Sequence, residues 1–444
     1  MKRKILFLCL LITACVGLSA QALNLEQARV LALANSRSLA RYELSIRGSI
    51  LDEKNQLYSM LPSVSAGYSA SADYLKNWEM VNPVDTFTAG ASFSITQIIF
   101  QGGKSFIQKA ISAIATESVR IDALSEYFNV LDSVDNAYYA ALEAAATLES
   151  EKSSLESVNI ALSIAKIRQE SGMINQGDYL KALSEMESSE NSYNQAKRNL
   201  TLSLAKLKTL TGISGAVALE PVDFSAYEGV LSRLAVISDE DADVLYEEFM
   251  GKVKASNPAF AKSLLNSQRA EKSHILTKRD YAPVITATIF GTGLNYSTAN
   301  GFNSTSTGGV SIRGTIPVDF WLLNNKLEKS RLALESAAMD YKNTELSMET
   351  ELQTALLNAF SQAGSVLSAR RSLEYTEKHY QFIMERYRLL QSSVSDLGDA
   401  STLYINSRNS HIRSSYGFLR SLSNLRSLTA LDDEKKLIEM LSRD

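Results

Sequence analysis

Thiol chemistry is nearly absent from this sequence, whose only cysteines, Cys9 and Cys15, fall in the N-terminal stretch. Once that stretch is removed, disulfides, zinc-thiolate sites and a cysteine nucleophile are excluded, although the chain is destined to leave the cytosol. Histidine is almost as scarce. His274, His379 and His411 lie far apart, with no Glu or His at metal-ligand spacing. Each reads as a satisfied or solvated side chain, and no metal or cofactor is expected. Six prolines in 444 residues fall well short of the usual frequency of about 5%. An interior proline costs a helix about 3 kcal/mol, so the shortage suits very long helices and not a loop-rich enzyme. Beyond the N-terminal stretch no run of about 18 apolar residues occurs, so no helix is expected to cross a membrane. A net charge of −4 with no strongly basic segment leaves little to neutralise phosphates, which argues against nucleic acid as a partner. Nor is there a Ser/His/Asp arrangement in a supporting context, a phosphate-binding glycine loop or a cleft-like carboxylate pair. No enzymatic function is expected.

What is present begins with a targeting signal. Lys2, Arg3 and Lys4 form a cationic head, and Ile5 to Ile12 an apolar run too short to span a bilayer. Ala20 and Ala22 supply small residues at the cleavage positions before Leu23, so residues 1–22 read as a signal peptide. Ile12-Thr13-Ala14-Cys15 resembles a lipobox, a competing site at which Cys15 would be lipidated.

The mature chain reads as one plan written twice, over residues 23–211 and 256–431. The first copy opens with a helix from about Leu25 to Leu61, with Asn24 as N-cap and Gln27 completing a capping box. After Pro62 the period changes. Val64, Ala66, Tyr68, Ala70, Ala72 and Tyr74 alternate with Ser63, Ser65, Gly67, Ser69, Ser71 and Asp73, a run long enough for a strand tilted across a membrane. A loop with Trp78, Asn82 and Pro83 leads to a second strand from Phe87. From Lys104 to Ser171 there is neither proline nor glycine, which predicts a rod of about 100 Å at 1.5 Å per residue. Gly172 breaks it, and a helix returns from Asn175 to Thr211.

The second copy repeats the order. A helix runs to about Asp280, a strand from Val284 to about Tyr296, a loop from Ser297 to Gly309, and a strand from Val310 to Asp319. A long helix from about Asn324 to Gln391 and a last helix from Ser395 to Leu431 complete it. Between the copies, residues 212–255 read as a lateral segment, and residues 432–444 as a polar, solvated tail.

Four alternating strands per chain pose a physical problem, because only a closed barrel satisfies every backbone hydrogen bond in lipid. Four strands cannot close, whereas three chains would supply about twelve. Aromatic residues near strand ends (Tyr74, Trp78, Phe87, Phe100, Tyr296, Phe302, Phe320 and Trp321) fit interfacial girdles. The competing reading is a secreted coiled-coil structural or adhesive protein, which would gain nothing from the inserted strand pairs.

The order of these elements, across essentially all of the mature sequence, resembles the TolC family of outer-membrane efflux proteins. The family's strand-to-helix signature appears at Ile98 to Lys104, with Gly102 and Gly103, and in degenerate form at Ile316 to Lys326. Its helix-to-helix turn appears as Gly172-Met173-Ile174-Asn175-Gln176-Gly177-Asp178, with a counterpart from Tyr387 to Ala400. The resemblance implies a mostly α fold with transmembrane β-strands. In it a homotrimer forms a 12-stranded β-barrel in outer-membrane lipid, four strands per chain, continued by a long α-helical coiled-coil tunnel in the periplasm. It implies a passive exit duct for tripartite efflux or type I secretion, docked through a periplasmic adaptor onto an inner-membrane pump. Asp396 and Asp399 align with the family's ring-forming aspartates at a periplasmic gate. Tyr387 and Asp178 align with residues tying the helix pairs together. The arginine that completes this latch is replaced by Ser392 and the usual tip glycine by Leu390, leaving Arg386 or Arg388 as substitutes.

Overall fold

The computed structural model describes residues 22–75, 84–297, 301–303, 307–431 and 433–442. Cys9, Cys15, Trp78, Asn82 and Pro83 lie outside the described residues, as do the side chains of Tyr74 and Phe302. In chain order the elements are α1 (Leu25–Asn35), α2 (Arg37–Tyr58), β1 (Ser63–Leu75), β2 (Val84–Phe100), α3 (Lys104–Glu170) and α4 (Gln176–Thr211). There follow α5 (Glu228–Leu234), α6 (Asp239–Ser256), α7 (Pro258–Lys278), β3 (Val284–Ser297), β4 (Gly301–Asn303) and β5 (Thr307–Thr315). Finally come α8 (Phe320–Arg388), α9 (Val394–Leu428) and α10 (Glu434–Ser442). The described residues group into two compact units, one within 22–40, 124–257 and 347–442, the other within 41–123 and 258–346.

The second unit carries the sheet. β1 pairs antiparallel with β2, β2 with β3, and β3 with β5, while the short β4 extends the far end of β3. The register sorts the side chains by face. Val64, Ile95, Ile289 and Val310 stand in one row across the four strands, and Ser63, Thr96, Thr288 and Ser311 in the row beside it. Successive residues on a strand point to opposite faces, so one face is apolar and the other hydroxyl-lined. Ser65 bonds Ser94 at 2.7 Å, Ser71 bonds Thr88 at 2.7 Å and Thr96 bonds Thr288 at 3.2 Å across the polar face. The apolar face is not covered: Val64, Val310 and Ile312 are 65%, 72% and 76% exposed. Two register shifts in the β2–β3 pair, at Ala89/Ala91 and Ile98/Phe100, mark bulges of the kind that increase twist.

Three sheet expectations need adjustment. β2 starts at Val84, ahead of Phe87. Part of the expected loop from Ser297 to Gly309 is strand, because Gly301–Asn303 pairs back onto β3 and β5 already begins at Thr307. β5 ends at Thr315, two residues before Pro317, which lacks the donor a ladder needs.

The helical unit is built round a core of buried residues from α1, α3, α4, α5, α6, α8, α9 and α10, including Val134, Tyr138, Leu231, Phe249, Leu352 and Phe418. Inside it lies a charge cluster. Asp135, fully buried, accepts from Arg29 Nε at 2.7 Å, Arg29 Nη2 at 2.8 Å, Arg426 Nη2 at 2.7 Å and Ser423 Oγ at 2.7 Å. Two cations on one anion need a further negative charge, and Arg29 finds it in Glu434 at 3.1 Å. Tyr227 donates to the same carboxylate at 2.6 Å.

The expectation of a solvated tail is therefore corrected. Glu434–Ser442 is a helix whose Leu437, Met440 and Leu441 are buried, anchored at its first residue by the charge cluster. The single opening helix is corrected as well. It divides at Ser36, whose backbone is extended and whose hydroxyl accepts from Leu39 N at 3.3 Å, so that Ser36 caps a new helix. α8, in contrast, passes through Gly364 without a break.

Candidate functional site

Two helix-to-helix turns in the helical unit hold the residues marked as a gate. The first joins α3 to α4. Gly172 takes φ +72°, a left-handed conformation that glycine adopts without steric cost, and Met173 N donates to Arg168 O at 2.8 Å to close the helix end. Asn175 caps α4 by accepting from Asp178 N at 2.9 Å. Gly177 lies in the first turn beside Asn175 Oδ1, 3.1 Å from where a Cβ would stand.

The second turn joins α8 to α9 and uses a different device. Leu390, a branched residue, occupies the left-handed position at φ +65°. Arg386 steadies it, accepting Gln391 N on its carbonyl at 2.8 Å and donating its guanidinium to Gln391 O at 3.0 Å. Ser393 and Asp396 then form a reciprocal capping box: Asp396 N donates to Ser393 Oγ at 3.1 Å, and Ser393 N donates to Asp396 Oδ2 at 2.9 Å. The bond from Ser393 N holds the Asp396 carboxyl below the usual carboxylate range. Asp396 and Asp399 are both exposed, and they line one recess of about 410 Å³ with Ser392, Arg386 and His379.

The two hairpins meet in a small apolar cluster of Ala165, Ala182, Met384, Tyr387, Val394 and Leu397. Tyr387 is fully buried there. Its phenol is pushed up by burial and by Glu185 and Asp178, against the opposing Arg168. The Arg168 guanidinium lies over the Tyr387 ring at 4.0 Å from the centroid. Lys181 Nζ donates to Ser395 Oγ at 2.7 Å, a second link between hairpins. Glu185 reaches against Gly398, where an added Cβ would come within 2.4 Å of the carboxylate. Burial raises the Glu185 carboxyl, with Lys181 opposing and Asp399 reinforcing. Against the cluster lies a cavity of about 270 Å³ of mixed character, lined by Ser154, Ser157, Ser188, Ser192 and Asn409 together with Leu162, Met384 and Leu397 among others.

Of the residues marked in the sequence, Tyr387, Asp178, Ser392, Asp396 and Asp399 thus belong to one region. Neither expected substitute cation engages Tyr387: Arg386 holds its own turn and Arg388 pairs with Glu385 at 2.9 Å. Arg168, Lys181 and Glu185 escaped the sequence reading. Arg168 sits in the last turn of a helix, where a cation is already favoured by the dipole, so its type and place gave no further signal. Gly102 and Gly103 lie elsewhere, in the sheet unit, at φ +65° and +76°. A Cβ on Gly102 would meet that of Ala282 at 2.4 Å, so the strand-to-helix turn needs glycine there for both conformation and space. Among the described residues there is no cluster of metal ligands and no helix long and apolar enough to cross a membrane.

Comparison with known proteins places these features in context. The outer membrane efflux protein family matches residues 23–213 and 250–431. The fold is similar to the CmeC outer membrane channel of Campylobacter jejuni, at 17% identity and a TM-score of 0.75, covering 94% of this chain and 89% of that one. It is similar also to the outer membrane protein VceC of Vibrio cholerae, at 13% identity and a TM-score of 0.73, covering 91% and 95% of the two chains. The open state of the MtrE outer membrane channel of Neisseria gonorrhoeae gives 14% identity, a TM-score of 0.70, and coverage of 91% and 88%. No curated protein matches the sequence.

Proposed function

The chain belongs to the outer membrane efflux protein family, and from that premise we propose that three copies assemble into the exit duct of a tripartite efflux system. The sheet carries this reading. Its apolar face is exposed across all four main strands, and β1 and β5 each pair on one side only among the described residues. In lipid such edges are untenable, since every unpaired backbone group costs several kcal/mol. Pairing the β5 edge of one copy with the β1 edge of the next satisfies both and turns the apolar face to lipid. Three copies give twelve strands. The hydroxyl-lined face then becomes the wall of an aqueous lumen.

The aromatic residues at the sheet-to-helix junction support the same orientation. Phe100, Phe320 and Trp321 are exposed, as a girdle at a lipid–water boundary requires. In this reading the helical hairpins lie in the periplasm, where the recess holding Asp396 and Asp399 forms the narrow end of the conduit and the turns meet an adaptor protein joined to an inner-membrane pump. The chain binds no cofactor and carries out no reaction. Its cargo is whatever the pump delivers.

Purified from the outer-membrane fraction, the protein should migrate on gels as a heat-modifiable trimer and form cation-preferring pores in planar lipid bilayers. A detergent-free monomer without conductance would overturn the assignment.

A further inference from the structure

We infer that the two hairpins are locked together by a buried cation on an aromatic face, Arg168 on Tyr387, and not by a salt bridge. The inference rests on the reading of the hairpin ends as the closed end of a conduit. Arg168 comes from α3 and Tyr387 from α8, so their contact crosses from one hairpin to the other. Both are buried, with 5% and 0% of their surfaces exposed. The guanidinium carbon is 4.0 Å from the ring centroid, well inside the reach of about 6 Å for a cation–π contact.

What distinguishes this arginine is how little else holds it. Among the described residues neither its Nε nor its Nη2 reaches a hydrogen-bond acceptor. A buried charge with no carboxylate paired to it, and with two of its three nitrogens lacking an acceptor, leans on the ring beneath it. The Tyr387 hydroxyl adds little, because it stands 3.5 Å from Ala161 O, at the outer limit of a hydrogen bond. The ring, then, is the part of Tyr387 that matters.

Two consequences follow from burying a cation on a ring. Removing the ring strands a buried cation, which is severely destabilising, whereas replacing both members by apolar side chains removes the charge that needed compensation. A buried contact of this kind is also screened little by salt.

The test uses the full-length trimer in planar bilayers and reads its resting conductance. Tyr387→Phe keeps the ring and should stay at the wild-type level, while Tyr387→Leu should raise conductance at least about threefold, a range set by the loss of a buried charge partner. The double variant Arg168→Met with Tyr387→Leu should return to within about twofold of wild type, as coupled neighbours deviate from additivity. High salt should scale the wild-type current with bulk conductivity and not open the pore. If Tyr387→Phe opens the pore as Tyr387→Leu does, or if Arg168→Met fails to rescue Tyr387→Leu, the inference is overturned. Should Tyr387→Leu fail to assemble, recovery of trimer by Arg168→Met supports the lock and no recovery overturns it. A wild-type protein without pores would instead defeat the functional reading, and the lock with it.

Discussion

Individual side chains at the hairpin ends divide by whether their chemistry is local or brought from afar. Asp396 was visible in the sequence through its alignment with the family's ring-forming aspartates, and the structure adds a local role, a capping box with Ser393. Glu185 could not be found that way. Its environment comes from Gly398 and Asp399 on another helix, more than two hundred positions along the chain. The same holds for Arg168, whose partner is chosen by packing. Glu185 supports a pH prediction. Its carboxyl is raised above the ordinary value chiefly by burial, so the charged form opposes close packing of the hairpins. That penalty is present at high pH and disappears as pH falls through the raised value. Acidifying from about pH 8 towards about pH 5 should therefore lower the resting conductance, and Glu185→Gln should stay low throughout. A wild-type conductance independent of pH, or an unchanged slope in Glu185→Gln, would contradict this.

Elements were legible where a period ran long. The rods α3 and α8, 67 and 69 residues, follow from scarce proline and unbroken helical spacing, and β1 from strict alternation. Where a single side chain decides the matter, periodicity fails. The break at Ser36 depends on one hydroxyl accepting from Leu39 N. α10 has nine residues, too few to stand out among the surrounding charges, and it is fixed by Glu434 meeting Arg29 and Tyr227. The strand-to-helix turn is the opposite case, since paired glycines announced it. Gly102→Ala forces φ +65° on a side-chain-bearing residue and a Cβ approach of 2.4 Å to Ala282. Strain of this kind costs about 1–3 kcal/mol, which should appear as a lower temperature for dissociation of the trimer on semi-native gels. The same substitution at Gly103, with nothing within 4 Å, should cost less.

At the scale of the whole molecule, the sequence disclosed that four strands cannot close alone, and the register shows which faces they present. Val310 and Ser311 are neighbours in sequence on opposite faces of β5. Val310→Arg places a charge against lipid and should cost about 2–4 kcal/mol per chain near the bilayer midplane, reducing trimer in the outer-membrane fraction. Ser311→Arg points into the lumen, so trimer should persist with altered conductance. Equal loss from both would mean that the faces are assigned wrongly. The one-sided pairing of β1 and β5 has a consequence in time as well as in space. Until its companions arrive, each newly exported copy carries two open rims able to recruit any extended peptide nearby. Crowding of like molecules at the site of insertion then governs yield more than the robustness of the finished ring, and scarcity of newly made chains should favour degradation over assembly.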